Sequence, residues 1–262
     1  MLLVLLPLSE VAVATPAPTE PCHLTAHLNE SPETAKAEGL TLPRWYDLHQ
    51  RILRLLTDEA GCTLEVVGSP WPRSLNLLKS GDIDLMLTVS YTEERNQFAE
   101  FLGVHYMEES VLVIDKQYAS RIRKLTDIGL LPGFVGVLRD AYYGEEFEQV
   151  KADPDFQQYL LYANTLTQKL NMLKRQRVLG SVEDKTQFVE WNRQYPELAQ
   201  RYQIVLTLHR APVYIVASRQ GVSNELRQHL KDSWAKVYGS PEHLAILAEF
   251  GWSLDESDTA AR

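Results

Sequence analysis

Leu77–Tyr106 reads LLKSGDIDLMLTVSYTEERNQFAEFLGVHY. Its first residues close a helix, and Gly81 stands where a left-handed C-cap would end one. Ile83–Val89 is almost continuously apolar, the pattern of a strand buried in a parallel sheet. The end of that strand turns hydroxyl-rich at Thr88, Ser90 and Thr92. Thr92 is placed to cap a second helix, with Glu93 and Glu94 complementing the dipole in its first turn. Helix, glycine turn, buried strand and capped helix in that order predict an α/β fold. In open α/β sheets, ligands bind beyond the carboxyl ends of the strands. Thr88, Ser90 and Arg95 gather at that end, and a guanidinium can hold a carboxylate by two parallel hydrogen bonds. Taken alone, an arginine in a first helical turn equally forms a surface ion pair with Glu93 or Glu94.

The same alternation runs outward in both directions. Thr41–Glu59 carries Leu42, Trp45, Leu48, Ile52, Leu55 and Leu56 at helical spacing, and Thr63–Val67 is a short strand before the Gly68-Ser69-Pro70 turn. On the other side, strands are expected at Val111–Ile114, Val135–Leu138, Val178–Val182, Ile204–Leu208 and Val213–Ala217, the last two flanking Pro212. Helices are expected from near Tyr142, over Thr167–Arg177, Gln187–Tyr195 and Ser223–Tyr238, and from Pro241 to Phe250. Two α/β units therefore share a short chain with no Gly/Ser linker between them. Strands that cross between the units would leave a cleft with a hinge at its base.

Length and charge set the outer bounds. The 262 residues suit one large domain or two small ones. With 26 Lys+Arg against 35 Asp+Glu, the net charge of −9 discourages nucleic acid and anionic membranes as partners. Met1–Leu8 is almost wholly apolar and too short to span a bilayer, and Ala12-Val13-Ala14 is a small-x-small site. Residues 1–21 read as a secretory signal and leader. No Lys or Arg precedes Lys36, which is expected of a start upstream of Met1; the alternative is an apolar first element of the mature fold. Cys22 and Cys62 each open a β-prone segment. Two parallel strands starting side by side would bring the sulfurs together, so an exported chain would pair them and an unexported one would keep two buried thiols. Cys22, His23 and His27 lack the fourth ligand and the spacing of a metal site. Residues 256–262 form a polar tail without a core pattern.

Catalytic signatures are scarce. The chain has no Gly-rich phosphate loop, no G-x-S-x-G elbow, no H-E-x-x-H and no C-x-x-C, and its seven histidines are dispersed. No cofactor and no metal are expected.

The run L-x-x-G-x-x-D-x-x-x-x-x-[ST]-x-T-x-E-R, then F-x-x-x-x-Y, is carried here by Leu78, Gly81, Asp84, Ser90, Thr92, Glu94, Arg95, Phe101 and Tyr106. It resembles the extracellular solute-binding proteins of family 3, the periplasmic receptors for polar amino acids of ABC importers. Leu125–Ile128, the segment from Met172 to Asp184, and Pro212–Ser218 extend the resemblance over most of the chain. It implies an α/β, two-lobed periplasmic-binding-protein fold of type II. Each lobe would be a mostly parallel sheet flanked by helices. Lobe 1 would comprise 22–105 plus 213–255 and lobe 2 would comprise 110–209, with the hinge at Tyr106–Glu109 and Arg210–Pro212.

By the same resemblance, Arg95 would hold a ligand carboxylate, aided by Ser90 and Thr88, and Asp184 would meet the ligand's ammonium; otherwise Asp184 is a solvated acid of Glu183-Asp184-Lys185. Trp71 would stack on the ligand; otherwise it is a core tryptophan. Arg73 would add charge at the cleft or cover its helix. Two departures stand out. Leu28–Glu33 lacks the usual aromatic, so one wall of the site is expected to be missing. The second-lobe loop reads Arg139-Asp140-Ala141-Tyr142-Tyr143 instead of Gly-Thr/Ser, so Arg139 and Tyr142 either recognise a different anion or lie on the lobe surface.

The resemblance implies a periplasmic monomer that binds a small amino-acid-like carboxylate and delivers it to a membrane permease. Two rivals remain. One is a ligand-sensing module for a signalling partner, although no transmembrane or kinase region is seen in the chain. The other is a dehydratase on the same scaffold, which needs an acid/base carboxylate near the arginine, with Glu30, Glu33 and Asp140 as candidates.

Overall fold

The computed structural model describes residues 22–28, 32–37, 39 and 44–254. The export signal expected at 1–21, Glu30, the side chain of Glu33 and the tail at 256–262 lie outside the described residues. The chain runs β1 (Cys22–Leu28), α1 (Pro32–Ala37), α2 (Arg44–Glu59), β2 (Cys62–Gly68), α3 (Trp71–Ser80), β3 (Leu85–Ser90), α4 (Glu93–Asn96) and β4 (Ala99–Asp115). It continues through β5 (Val135–Leu138), α5 (Glu145–Lys151), α6 (Pro154–Gln157), β6 (Leu160–Ala163), α7 (Leu166–Lys174) and β7 (Gly180–Asp184). Then follow α8 (Lys185–Gln194), α9 (Pro196–Arg201), β8 (Tyr202–Ser218), α10 (Asn224–Val237) and α11 (Pro241–Glu249).

The helix–turn–strand–helix unit forms as its residues dictate. Gly81 ends α3 at φ 84°, a conformation that costs glycine little. β3 is buried along nearly its whole length. Thr92 caps α4 by accepting a hydrogen bond from the Arg95 amide.

The strands form one sheet in the order β2-β1-β3-β8-β4-β7-β5-β6. β1 pairs in parallel with β2 and β3, and β5 pairs in parallel with β6 and β7. Antiparallel pairs join these two parallel halves: β3 with β8, β8 with β4, and β4 with β7. The long strands β4 and β8 run side by side from Ala99↔Ser218 to Asp115↔Tyr202 and belong to both halves. One face of the first half packs on α2 and α10, with Leu48, Ile52, Leu53, Leu56, Leu230 and Trp234 buried there. Gly180 admits β7 to β4: a Cβ at that position would sit 2.1 Å from the Val113 carbonyl oxygen.

The expected parallel register at the cysteines is present. Cys22 lies opposite Cys62 with their Cα atoms 4.6 Å apart, and the two form a disulfide.

Three expectations change. The separate strands foreseen on either side of Pro212 are one strand, β8. β3 joins β8 only from Val213, so Pro212 lies where β8 is paired on the β4 side alone. A proline without an N–H is tolerated at such an edge. Val111–Ile114 is likewise only the end of the 17-residue β4. β6 was not foreseen; its four residues are too few to show a period.

Candidate functional site

A cavity of about 200 Å³ opens between the two halves of the sheet, at the strand ends where the hydroxyls gather. Of the residues expected at a binding site, Thr88, Ser90, Arg95, Asp184, Trp71 and Tyr142 line it. Arg73 and Arg139 do not, which corrects their expected role in the cleft. Arg73 is an exposed residue of α3. Arg139 turns outward, with its guanidinium 4.9 Å from the centre of the Tyr162 ring and its Nε donating to Asn164 Oδ1. That contact satisfies the charge away from the cavity.

Arg95 is the buried cation at the centre. It is only 7% exposed, and burial lowers its pKa from the ordinary arginine value, opposed by Glu108, Glu148, Glu94 and Asp140. Its Nη1 donates to the Ser90 carbonyl at 2.9 Å and its Nη2 to the Asp140 carbonyl at 2.8 Å. The second bond crosses from one half of the molecule to the other. Trp71 makes two similar crossings: Nε1 donates to the Asp140 carbonyl at 3.3 Å and the backbone amide donates to Asn164 at 3.1 Å.

Two left-handed residues shape this point. Asp140 has φ 60°, which aspartate tolerates, and its carbonyl thereby meets both donors. The Asp140 side chain does not line the cavity, so it does not supply the acid/base carboxylate of the dehydratase reading. Thr88 has φ 57°, where a β-branched side chain is strained, and it falls where the β3–β8 register shifts.

Asp184 sits at the end of β7 and caps α8. Its Oδ1 accepts from the Thr186 amide at 2.8 Å, and its Oδ2 accepts from the Tyr106 hydroxyl at 2.6 Å. Burial raises its pKa, while those hydrogen bonds favour the ionised form. Burial and the Asp184 and Glu108 charges hold Tyr106 well above its ordinary range, so it stays a phenol and donates.

Sequence reasoning missed several lining residues. Glu108 is the most consequential. Tyr106, Glu108 and Ser110 alternate along an unshifted stretch of β4, so they share one face, and Ser110 lies opposite Asp184. Ser110 Oγ donates to Glu108 Oε1 at 3.2 Å. Burial first, and then Asp184, push the Glu108 carboxyl up to about 8. Counting by twos from Tyr106 would have found it.

Trp45 and Trp252 also line the cavity. They give the cavity aromatic lining from α2 and from the segment after α11, although Leu28–Glu33 supplies none. Trp45 was read only as an inward residue of its helix. Lys169 is another lining residue; its Nζ donates to the Val182 carbonyl at 2.8 Å and pairs with Glu183 at 2.9 Å.

The sequence profile described as bacterial extracellular solute-binding proteins, family 3, matches residues 46–251. Solved structures of similar fold include an ancestral arginine-binding protein bound to glutamine, 18% identical, with a TM-score of 0.71 over 89% of this chain and 100% of that one. A histidine kinase sensor domain with similarity to periplasmic binding proteins is 16% identical, with a TM-score of 0.69 over 90% of this chain and 97% of that one. A mutant of ArgBP from T. maritima is 16% identical, with a TM-score of 0.68 over 87% and 94%. At these identities the likeness establishes the fold. No curated protein matches the chain.

Proposed function

The chain belongs to the bacterial extracellular solute-binding proteins, family 3, and on that premise we propose that it captures a small amino-acid-like ligand in the cavity between its two halves. The observation that carries this reading is Arg95. A buried guanidinium beside the cavity, hydrogen-bonded only through carbonyl oxygens in the bonds described above, offers a carboxylate the stronger charge-assisted partner. Asp184, anchored by Tyr106 and Thr186, is the counterpart for the ligand's ammonium. A zwitterion would thus contact both halves.

The two halves act as lobes, 22–105 plus 213–255 and 110–209. They hinge where β4 and β8 pass between them, at Tyr106–Glu109 and Arg210–Pro212. Ligand favours the closed state by its differential affinity for closed over open. The bonds from Arg95 and Trp71 to Asp140 and Asn164 are contacts that such closure would make. The protein works in the periplasm as a monomer and hands its ligand to the permease of an ABC importer. It binds and does not turn its ligand over.

The likeness to a histidine kinase sensor domain favours one second reading, in which ligand capture is reported to a signalling partner. Permease and ATPase genes beside the coding gene would separate import from sensing.

A thermal-shift screen of amino acids and small carboxylates tests the reading. A hit present at a hundred times its Kd raises stability by about 2.7 kcal/mol. Arg95→Ala is expected to abolish that shift, and the ligand recovered from the wild type is expected to be chemically unchanged. A shift that survives Arg95→Ala would overturn the carboxylate clamp, and a converted ligand would point to an enzyme.

A further inference from the structure

The ionisable groups that line the cavity outnumber those a simple zwitterion would use. Lys169 is held by Glu183, and Arg193 by Glu190 at 2.7 Å. Arg44 is exposed at the mouth, donating to the Glu249 carbonyl and lying over the Phe250 ring. What is left inside is Arg95 with two carboxyl groups, Asp184 and Glu108. An α-carboxylate on Arg95 and an α-ammonium on Asp184 use one of each and leave Glu108 over.

We propose that Glu108 is the specificity-determining residue of this cavity, a second acidic anchor that selects a ligand bearing a side-chain cation besides its α-ammonium. The inference rests on the amino-acid reading above and extends it to the side-chain class. Its geometry follows from the strand. Tyr106, Glu108 and Ser110 share a face of β4, and Ser110 lies opposite Asp184, so Glu108 is a diagonal neighbour of Asp184 on that face. An anionic side chain entering here would meet two carboxyl groups.

The surroundings of Glu108 add a measurable signature. The groups facing it are Asp184 from β7, Lys169 from α7, Arg95 from α4, Tyr143 from the β5–α5 loop, and Tyr106 and Ser110 from its own strand. In the empty cavity, burial and Asp184 keep Glu108 protonated at neutral pH. A ligand cation takes the place of that proton, so binding releases it to solvent.

The test uses isothermal titration of the full chain at pH 7 with L-arginine, with L-citrulline as its neutral isostere, and with L-glutamate. The wild type, Glu108→Gln and Arg95→Ala are compared. The wild type is expected to favour arginine over citrulline by roughly 10- to 100-fold, the worth of a hydrogen bond to a charged group. Glu108→Gln keeps the shape of the side chain and its contact with Ser110. It is expected to remove that preference while leaving citrulline within about threefold of the wild type. Titration in buffers of different ionisation enthalpy should show proton release on arginine binding to the wild type and none in Glu108→Gln.

A preference that persists in Glu108→Gln, or a wild type that prefers citrulline or glutamate, would overturn the inference and leave the amino-acid reading standing. Undiminished binding by Arg95→Ala, or no binding of any probe to the wild type, would overturn the amino-acid reading and this inference with it. If Glu108→Gln failed to fold, Glu108→Ala takes its place in the same comparison, with the same expected and overturning results.

Discussion

Lys169 shows how this protein places charge inside an apolar wall. Its side chain is 3% exposed and that of Glu183 is fully covered, and the two make a 2.9 Å ion pair. Ser181 Oγ donates to the far oxygen of Glu183 at 2.5 Å. Burial pushes the Glu183 carboxyl up, and the lysine opposes that shift. Lys169→Met removes the cation and leaves a buried carboxylate without its partner, a change that costs about 3–5 kcal/mol. The urea midpoint should fall accordingly, and Lys169→Met with Glu183→Gln should recover part of the loss. An unchanged midpoint would show that the pair contributes nothing to stability. At this scale the sequence was legible where a family motif carried the residue. Arg95 stood one turn into a capped helix inside the Leu78–Tyr106 run, and Asp184 was placed by the resemblance alone. Glu108 was not legible, because Glu108-Glu109 reads as a solvated acidic pair. The strand separates them: Glu109 pairs with Lys185 on the exposed face, and Glu108 turns into the cavity.

At the scale of elements, the disulfide ties β1 to β2 across a sequence separation of 40 residues. Both strands lie at the end of the sheet, where, among the described residues, β2 pairs only with β1. Reduction is therefore expected to cost about 2–4 kcal/mol, chiefly by freeing the unfolded chain. Denaturant titrations with and without reductant measure that loss, and coincident curves would contradict it. The cavity meets β1 at His27 and Leu28, the end of the strand remote from Cys22, so it should survive reduction at low temperature. Elements with a full period were readable in advance: α2 buries Trp45, Leu48, Ile52 and Leu56, as its spacing requires. The joining strands were not. Leu102 and Val104 alternate with half-buried residues in β4, and Pro212 interrupts β8, so each strand was read only in its more apolar stretch. Their continuity comes from pairing with each other along their whole length, which is a tertiary fact.

For the whole molecule, stability against pH is set by groups that fold in their neutral forms. Burial lowers His27 and His49 from 6.5 to about 3 and His243 to about 4, and His105 falls well below 6.5. Their folded pKa values are depressed, so below pH 6.5 the unfolded chain binds protons that the folded chain refuses. The stabilisation is complete above 6.5 and is lost as pH falls toward the folded values. The loss is about 1.4 kcal/mol per pH unit for each fully buried imidazole. Glu108 works in the opposite direction. Its folded pKa is raised from 4.5 to about 8, so it stabilises fully below 4.5, and that contribution is lost as pH rises from 4.5 to about 8. Between 4.5 and 6.5 the four buried histidines outnumber the three raised carboxyls, Glu108, Asp184 and Glu183, and the balance favours higher pH. Above 6.5 the histidines have nothing further to add, and the contribution of Glu108 goes on declining up to about 8. The empty protein should therefore melt highest near pH 6.5, with a steep acid limb and a shallow alkaline one. Glu108→Gln flattens the alkaline limb and steepens the acid one, because its amide has no proton to lose. A ligand cation beside Glu108 should flatten the same limb, since it stabilises the ionised form. Melting curves from about pH 4 to about pH 9 on the empty wild type, the variant and the arginine-loaded protein would separate these contributions. An acid limb that vanished in Glu108→Gln would mean that the buried histidines are not the groups that set it.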